Sequence, residues 1–221
     1  MANAISIQKK LNIGYAKVGE KLGQPTSWYR TSNGQNPISQ ANLLNNNLMI
    51  YFDTKSTFAS IAPQGANDTT WFAAFDRTLA EPFDYLVNMD GDTYFISDLS
   101  SIKPTPVIRC NEILNFYRQS SSSQTNTQYY AGFSPDNQLN LFMQNIPVSF
   151  MQGTKGDKTT TGLPDDDKQP WMKIVAPDFG IEILTDDIVI TQSTNLNHRY
   201  IVSLVERTAL GYRLNVAYQG S

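Results

Sequence analysis

From Leu43 onward the chain is written as short apolar runs rich in β-branched and aromatic residues, each closed off by Asp, Gly, Pro or Asn. This grammar constrains the fold more than any other feature. The runs Leu48 to Phe52, Thr57 to Ile61, Phe83 to Met89, Thr93 to Ile96 and Val107 to Cys110 have no long helical pattern between them. That excludes a parallel α/β sheet and predicts a mainly β chain of one or two small barrel or sandwich modules. Asp90-Gly91, between two of the runs, is the strongest hairpin signal. Further strands are expected at Leu139 to Met143, Val148 to Met151, Trp171 to Val175, Ile181 to Leu184, Ile188 to Thr191, Tyr200 to Val205 and Leu210 to Tyr218.

Ahead of this β region the periodicity is different. Ile7, Leu11, Val18 and Leu22 fall at spacings of four, seven and four, with Lys9, Lys10, Lys17, Glu20 and Lys21 on other faces. This is one amphipathic helix, ended by Gly23 and Pro25, with Gly14 and Gly19 weakening it by about 1 kcal/mol each relative to alanine. So short a helix is marginal alone, and its apolar stripe must dock on something. From Gln24 to Gln40, Trp28 and Tyr29 stand among Pro, Ser, Asn and Gly, and the segment reads as an extended arm. The organisation expected is a helix and arm over 1–40, a β module over 41–152, an exposed loop or linker over 153–170, and C-terminal strands over 171–221. Those last strands either form a second module or complete the first. A serine-rich tract from Gln119 to Gln128 reads as a loop.

One echo runs through the chain. Asp84-Tyr85-Leu86-Val87, a turn and Thr93-Tyr94-Phe95-Ile96-Ser97 resemble Asp187-Ile188-Val189-Ile190, a longer turn and Arg199-Tyr200-Ile201-Val202-Ser203. Two copies of a small β module would produce it, as would chance similarity among aromatic-rich strands.

Little in the sequence points to catalysis. His198 is the one histidine, which removes every two-histidine zinc motif, and its turn-like setting favours a solvated residue over a catalytic base. Cys110, the one cysteine, reads as a small buried strand residue and rules out an intramolecular disulfide. Asp165-Asp166-Asp167 and Asp90-Gly91-Asp92 lack the ligand spacing of a calcium loop. The segment Gly153 to Thr159 lacks the Walker spacing. No metal or cofactor is expected, and the expectation is a protein that is not an enzyme. A carboxylate pair from distant positions would be the signature of a small hydrolase.

The chain has a net charge of −3, and no window approaches the length of an apolar membrane span. Neither specific nucleic acid nor a membrane is an expected partner. Asn, Gln, Ser and Thr make up roughly a third of the residues against 17% charged. Such surfaces can be buried against other proteins without stranding ions.

Two stretches resemble a known group. Ile7 to Lys17, continuing through Leu22-Gly23 to Trp28-Tyr29-Arg30, resembles the opening of tailed-bacteriophage structural proteins in which a basic helix precedes a Pro/Ser/Asn-rich arm. Gly91 to Ile96, leading to Pro106 to Asn111, and the closing part from Asp186 to Leu214 are similar to small β modules of phage neck and tail proteins. The resemblance implies a virion component made in the host cytoplasm. It would repeat as a ring of its own copies at the head-to-tail junction, collar or tail, beside portal, adaptor or tail subunits. Ile7, Leu11, Val18, Leu22, Trp28, Tyr29 and Ile38 are then the candidate assembly contacts. A carbohydrate-binding or host-recognition module is the alternative, with Trp28, Trp71 and Trp171 as sugar-stacking faces.

Overall fold

The Asp90-Gly91 turn is built as its residues require. In the computed structural model Gly91 adopts φ +83°, a left-handed conformation that favours glycine, and its N–H donates to the Asn88 carbonyl at 3.1 Å. The Asn88 side-chain oxygen accepts from Asp92 N–H at 2.8 Å, and the turn joins β4 (Tyr85–Asn88) to β5 (Thr93–Ile96). The structure describes residues 4–31, 33–54, 70–99, 104–119, 139–152, 172–192 and 198–220. The expected strand Thr57 to Ile61, most of the serine-rich tract, the 153–170 segment and Trp171 lie outside them.

The fold is mainly β with one N-terminal helix, α1 (Ala4–Leu22). The strands close into two six-stranded antiparallel barrels. Barrel 1 is formed by β1 (Gln24–Tyr29), β2 (Leu43–Asp53), β3 (Thr70–Ala74), β4, β5 and β6 (Thr105–Cys110). Its order around the barrel is β1-β2-β3-β6-β5-β4. Asn111 alone separates it from barrel 2: β7 (Glu112–Gln119), β8 (Leu139–Gln152), β9 (Met172–Ala176), β10 (Ile188–Thr191), β11 (Arg199–Thr208) and β12 (Gly211–Gly220). The order there is β7-β8-β9-β12-β11-β10, the same topology advanced by six strands. Closure leaves neither barrel an open edge.

The repeat extends to single atoms. Tyr29 pairs with Tyr85 across β1 and β4, and Tyr117 pairs with Ile188 across β7 and β10. Next to each pair a buried aspartate binds an arginine through both oxygens. Arg30 donates Nε and Nη2 to Asp84 at 2.7 Å each, and Arg118 donates the same two nitrogens to Asp187 at 2.8 Å each. The arginine Nη2 also reaches the Leu79 carbonyl in one copy and the Glu182 carbonyl in the other. Glu81 N–H and Leu184 N–H cap the respective aspartates, and Phe83 and Asp186, just before them, sit at φ +69° and +71°. Two topologically identical barrels with the same clasp make the sequence echo a structural repeat.

Several expectations on boundaries are corrected. Gln24 to Tyr29 is no arm but β1, paired to β2 on one side and β4 on the other. Its Pro25 is tolerated because pairing with β4 begins only at Thr26. The module expected over 41–152 divides near Asn111, so that β7 and β8 close barrel 2 with the C-terminal strands. Leu139 to Met143 and Val148 to Met151 are one strand, carried past a register shift by Asn145 at φ +53°, whose N–H donates to Asn115 Oδ1. Ile181 to Leu184 is a loop held by the Asp187 clasp.

Alternation along the strands makes three cores. Trp28, Ile50, Phe75, Leu86, Tyr94, Ile96 and Val107 fill barrel 1. Leu114, Phe116, Met143, Ile146, Val148, Ile174, Leu214 and Val216 are among those filling barrel 2. The residues between them on β4, β5 and β6, namely Tyr85, Phe95 and Ile108, point outward yet are buried against barrel 2 with Val175 and Phe179. Burial of each such side chain stabilises by about 1.5–3 kcal/mol, which ties the barrels together. Tyr85 Oη donates to the Pro147 carbonyl at 2.8 Å, and residues 34–36 hydrogen-bond with residues 142–145.

Candidate functional site

The surface of α1 follows from a triplet used three times: Lys10-Leu11-Asn12, Lys17-Val18-Gly19 and Lys21-Leu22-Gly23. Spacings of seven and four repeat each position along one line of the helix, and neighbouring lines lie about 100° apart. The third line seats the helix. Asn12 Oδ1 accepts from Arg77 Nε at 2.9 Å, and Arg77 also lies over the Tyr15 ring at 5.3 Å. At Gly19 a Cβ would stand 2.5 Å from the Met49 carbonyl oxygen and 2.9 Å from that of Ala74, so only glycine admits the helix this close to β2 and β3. At Gly23 a Cβ would collide with the Ile50 backbone.

The apolar line is therefore turned aside from the barrel. Ile7 is 45% exposed and Leu22 66% exposed, while Leu11 and Val18 are half-buried. Lys10, Lys17 and Lys21 form an exposed ridge along the other side of this line. A basic ridge thus runs beside a partly exposed apolar stripe, where lysine stems can cover apolar area while their ammonium groups stay hydrated.

The seven candidate contact residues do not form one surface. Ile7, Leu11, Val18 and Leu22 share the helix flank. Trp28 is buried inside barrel 1, its Nε1 donating to Asp84 Oδ2 at 2.9 Å. Tyr29 and Ile38 pack with Phe83 and Phe179 in the cluster between the barrels. Trp28 is buried within its own chain, so the expectation that it anchors in a neighbour's groove is corrected, whereas Tyr29 and Ile38 are half-buried. The apolar face of Trp28 is satisfied at home because Gln24–Tyr29 is a strand and not an arm. Trp28 is equally removed from the sugar-stacking reading, and Trp71 packs edge-on against Tyr94.

Other singled-out groups are structural in setting. Burial pushes the Cys110 thiol pKa well up, which keeps it protonated. His198 stacks edge-on against Tyr218 at 5.6 Å, and its backbone N–H donates to Thr191 Oγ1. Asp92 is paired with Arg109 at 2.6 Å. Among the described residues no group of three or more His, Cys, Asp or Glu could hold a metal ion, and no helix is long and apolar enough to cross a membrane.

The clasps are the feature that sequence reading passed over. Hydrogen bonding to the aspartate raises the pKa of both Arg30 and Arg118, fixing the charged partner of each pair. The signal was present: Trp28-Tyr29-Arg30 and Phe116-Tyr117-Arg118 are the same aromatic-Tyr-Arg string, each ahead of the aspartate it binds. No protein-family model, curated protein or solved structure matches this chain.

Proposed function

We propose that the chain is a non-enzymatic structural subunit of a tailed-phage particle, repeated as a ring at the head-to-tail junction, collar or tail. The observation that carries the reading is the helix flank. A helix that packs Gly19, Gly23 and Asn12 on its own barrel, while leaving Ile7 and Leu22 exposed beside a lysine ridge, retains an apolar stripe for a partner. The resemblance of the N-terminal string and of the β segments to phage structural proteins supplies the particle. Two edgeless barrels, tied by a buried cluster, supply a rigid body that can be placed repeatedly without strand exchange.

The test is the mass of the purified chain in solution, by light scattering after size exclusion, together with negative-stain images. A ring of defined copy number is the expected result. A monomer at every accessible concentration, which also fails to join particles assembled in its presence, overturns the reading.

A further inference from the structure

The contact between the barrels is head to tail. Barrel 1 offers the outer face of β4, β5 and β6, with Phe83 at its rim, and barrel 2 receives it on β8 and β9 around Pro147 and Val175. Registers of the repeat equate Pro147 with Met49 and Val175 with Ala74. Met49 and Ala74 are the residues whose carbonyls face Gly19 of α1. The helix thus occupies on barrel 1 the seat that barrel 1 occupies on barrel 2.

A tandem built this way has two unequal ends. One is the receiving face of barrel 1, covered by α1 and its lysine ridge. The other is the edge of barrel 2 equivalent to the one barrel 1 has already used. At that second edge the repeat changes its chemistry. Asp186 stands where barrel 1 has Phe83, and beside that rim Glu182 and Leu184 stand where barrel 1 has Leu79 and Glu81, both exposed on the flank of the contact with barrel 2. Glu182 and Asp186 are exposed, and Leu184 between them is 42% exposed. The two nearby guanidinium groups are engaged by other carboxylates, Arg118 by Asp187 and Arg207 by Asp178.

The charges of the two ends are opposite. Four lysines against one glutamate give α1 a charge of +3, and Glu182 and Asp186 stand exposed at the other end. We infer that copies of this chain join head to tail. The Lys17, Lys21 and Leu22 end of α1 in one copy docks on the Glu182, Leu184 and Asp186 edge of the next. The exposed leucine of each surface meets the other's, rimmed by complementary charge, and the helix-covered end of one copy is set beside the barrel 2 rim of the next. Because the two surfaces differ, the contact is heterologous and closes into a ring when its rotation permits. This rests on the assembly reading above and names the surfaces that would serve it.

Two doubly reversed variants test it: Lys17→Glu with Lys21→Glu, and Glu182→Lys with Asp186→Lys. All four side chains are exposed, and unchanged far-UV circular dichroism will certify each fold. Each variant alone should lose self-association by more than about tenfold, since like charges then face each other. An equimolar mixture should assemble again, because each helix then finds an edge of opposite sign only on the other variant. The wild-type assembly should also weaken with rising salt. If the wild type assembles and either variant assembles unchanged, or the mixture fails to restore assembly, this contact is wrong while the ring reading stands. A wild type that is monomeric overturns both.

Discussion

The two barrels share a topology and a clasp, yet they defend the clasp differently. In barrel 1 Asp84 accepts from Arg30, from Glu81 N–H and from the indole of Trp28. In barrel 2 Phe116 takes the place of Trp28 in the register, so Asp187 accepts from Arg118 and Leu184 N–H but from no indole. β4 and its counterpart β10 are both four residues long, but β5 and β6 of barrel 1 have four and six residues where β11 and β12 of barrel 2 have 10 each, and the interior of barrel 1 is the more aromatic. A small barrel with little strand length relies more on its buried polar corner, and a larger one relies more on apolar area. The same local device can therefore carry different weight in two copies of one fold.

Removing the aspartates is the most direct way to break that comparison. Asp84→Ala removes the buried carboxylate from Arg30, which keeps Glu81 and the Leu79 carbonyl, and leaves the Trp28 N–H without an acceptor, so unfolding in urea should show a loss of about 2–4 kcal/mol. Asp187→Ala should cost less, by about 1 kcal/mol, for want of the indole bond. Equal losses in the two variants would mean that Trp28 adds nothing to the corner.

The helix offers the next largest effect, since among the described residues only barrel 1 carries one. Gly19→Ala would force a Cβ against two backbone carbonyls that cannot move aside, and overpacking of this kind costs about 1–3 kcal/mol. Gly14 has nothing within 4 Å of its would-be Cβ, so Gly14→Ala should stabilise by up to about 1 kcal/mol. Thermal unfolding of the pair will show opposite signs if α1 is seated through Gly19. Matching signs would show that α1 is not seated through Gly19.

How much of this was legible beforehand depended on whether a strand advertises itself through its own side chains. Thr93 to Ile96 and Ile188 to Thr191 do, and both coincide with strands to the residue. β1 does not: Gln24, Pro25, Thr26 and Ser27 are polar or strand-averse, and the segment is a strand because β2 and β4 close around it. β7 escaped notice because Asn111 is the whole linker between the barrels, so the expected pause between modules never comes. On the helix the apolar period was read correctly, but the seating face was not. A seat made from Gly19, Gly23 and Asn12 buries backbone approach and one amide, for which hydrophobic periodicity has no symbol. The clasps were hidden for a related reason, since their partners lie 54 and 69 residues apart and only the closed barrel brings them together.

The smallest expected effect concerns the one residue that barrel 1 contributes to its neighbour as both an apolar and a polar group. Tyr85 is fully buried, and its hydroxyl donates to the Pro147 carbonyl of barrel 2, whereas its counterpart Ile188 has no such group to offer. Tyr85→Phe keeps the ring against Phe95 and Phe179 and removes only that bond, so stability at neutral pH should fall by about 1 kcal/mol. Alkaline pH should reverse the ranking. Burial raises the Tyr85 phenol well above its ordinary value of 10.0, so the native protein holds the proton after the unfolded chain releases it. The folded pKa lies above the unfolded one. The stability tied to this group is therefore complete below about pH 10 and is lost as pH rises past that point, at about 1.4 kcal/mol per pH unit for one proton. The phenylalanine variant lacks this proton, so its stability should decline less steeply above pH 10 and cross that of the wild type. Urea midpoints measured at neutral pH and at two values above 10 will reveal the crossing, and parallel curves would show that Tyr85 is not sealed between the barrels.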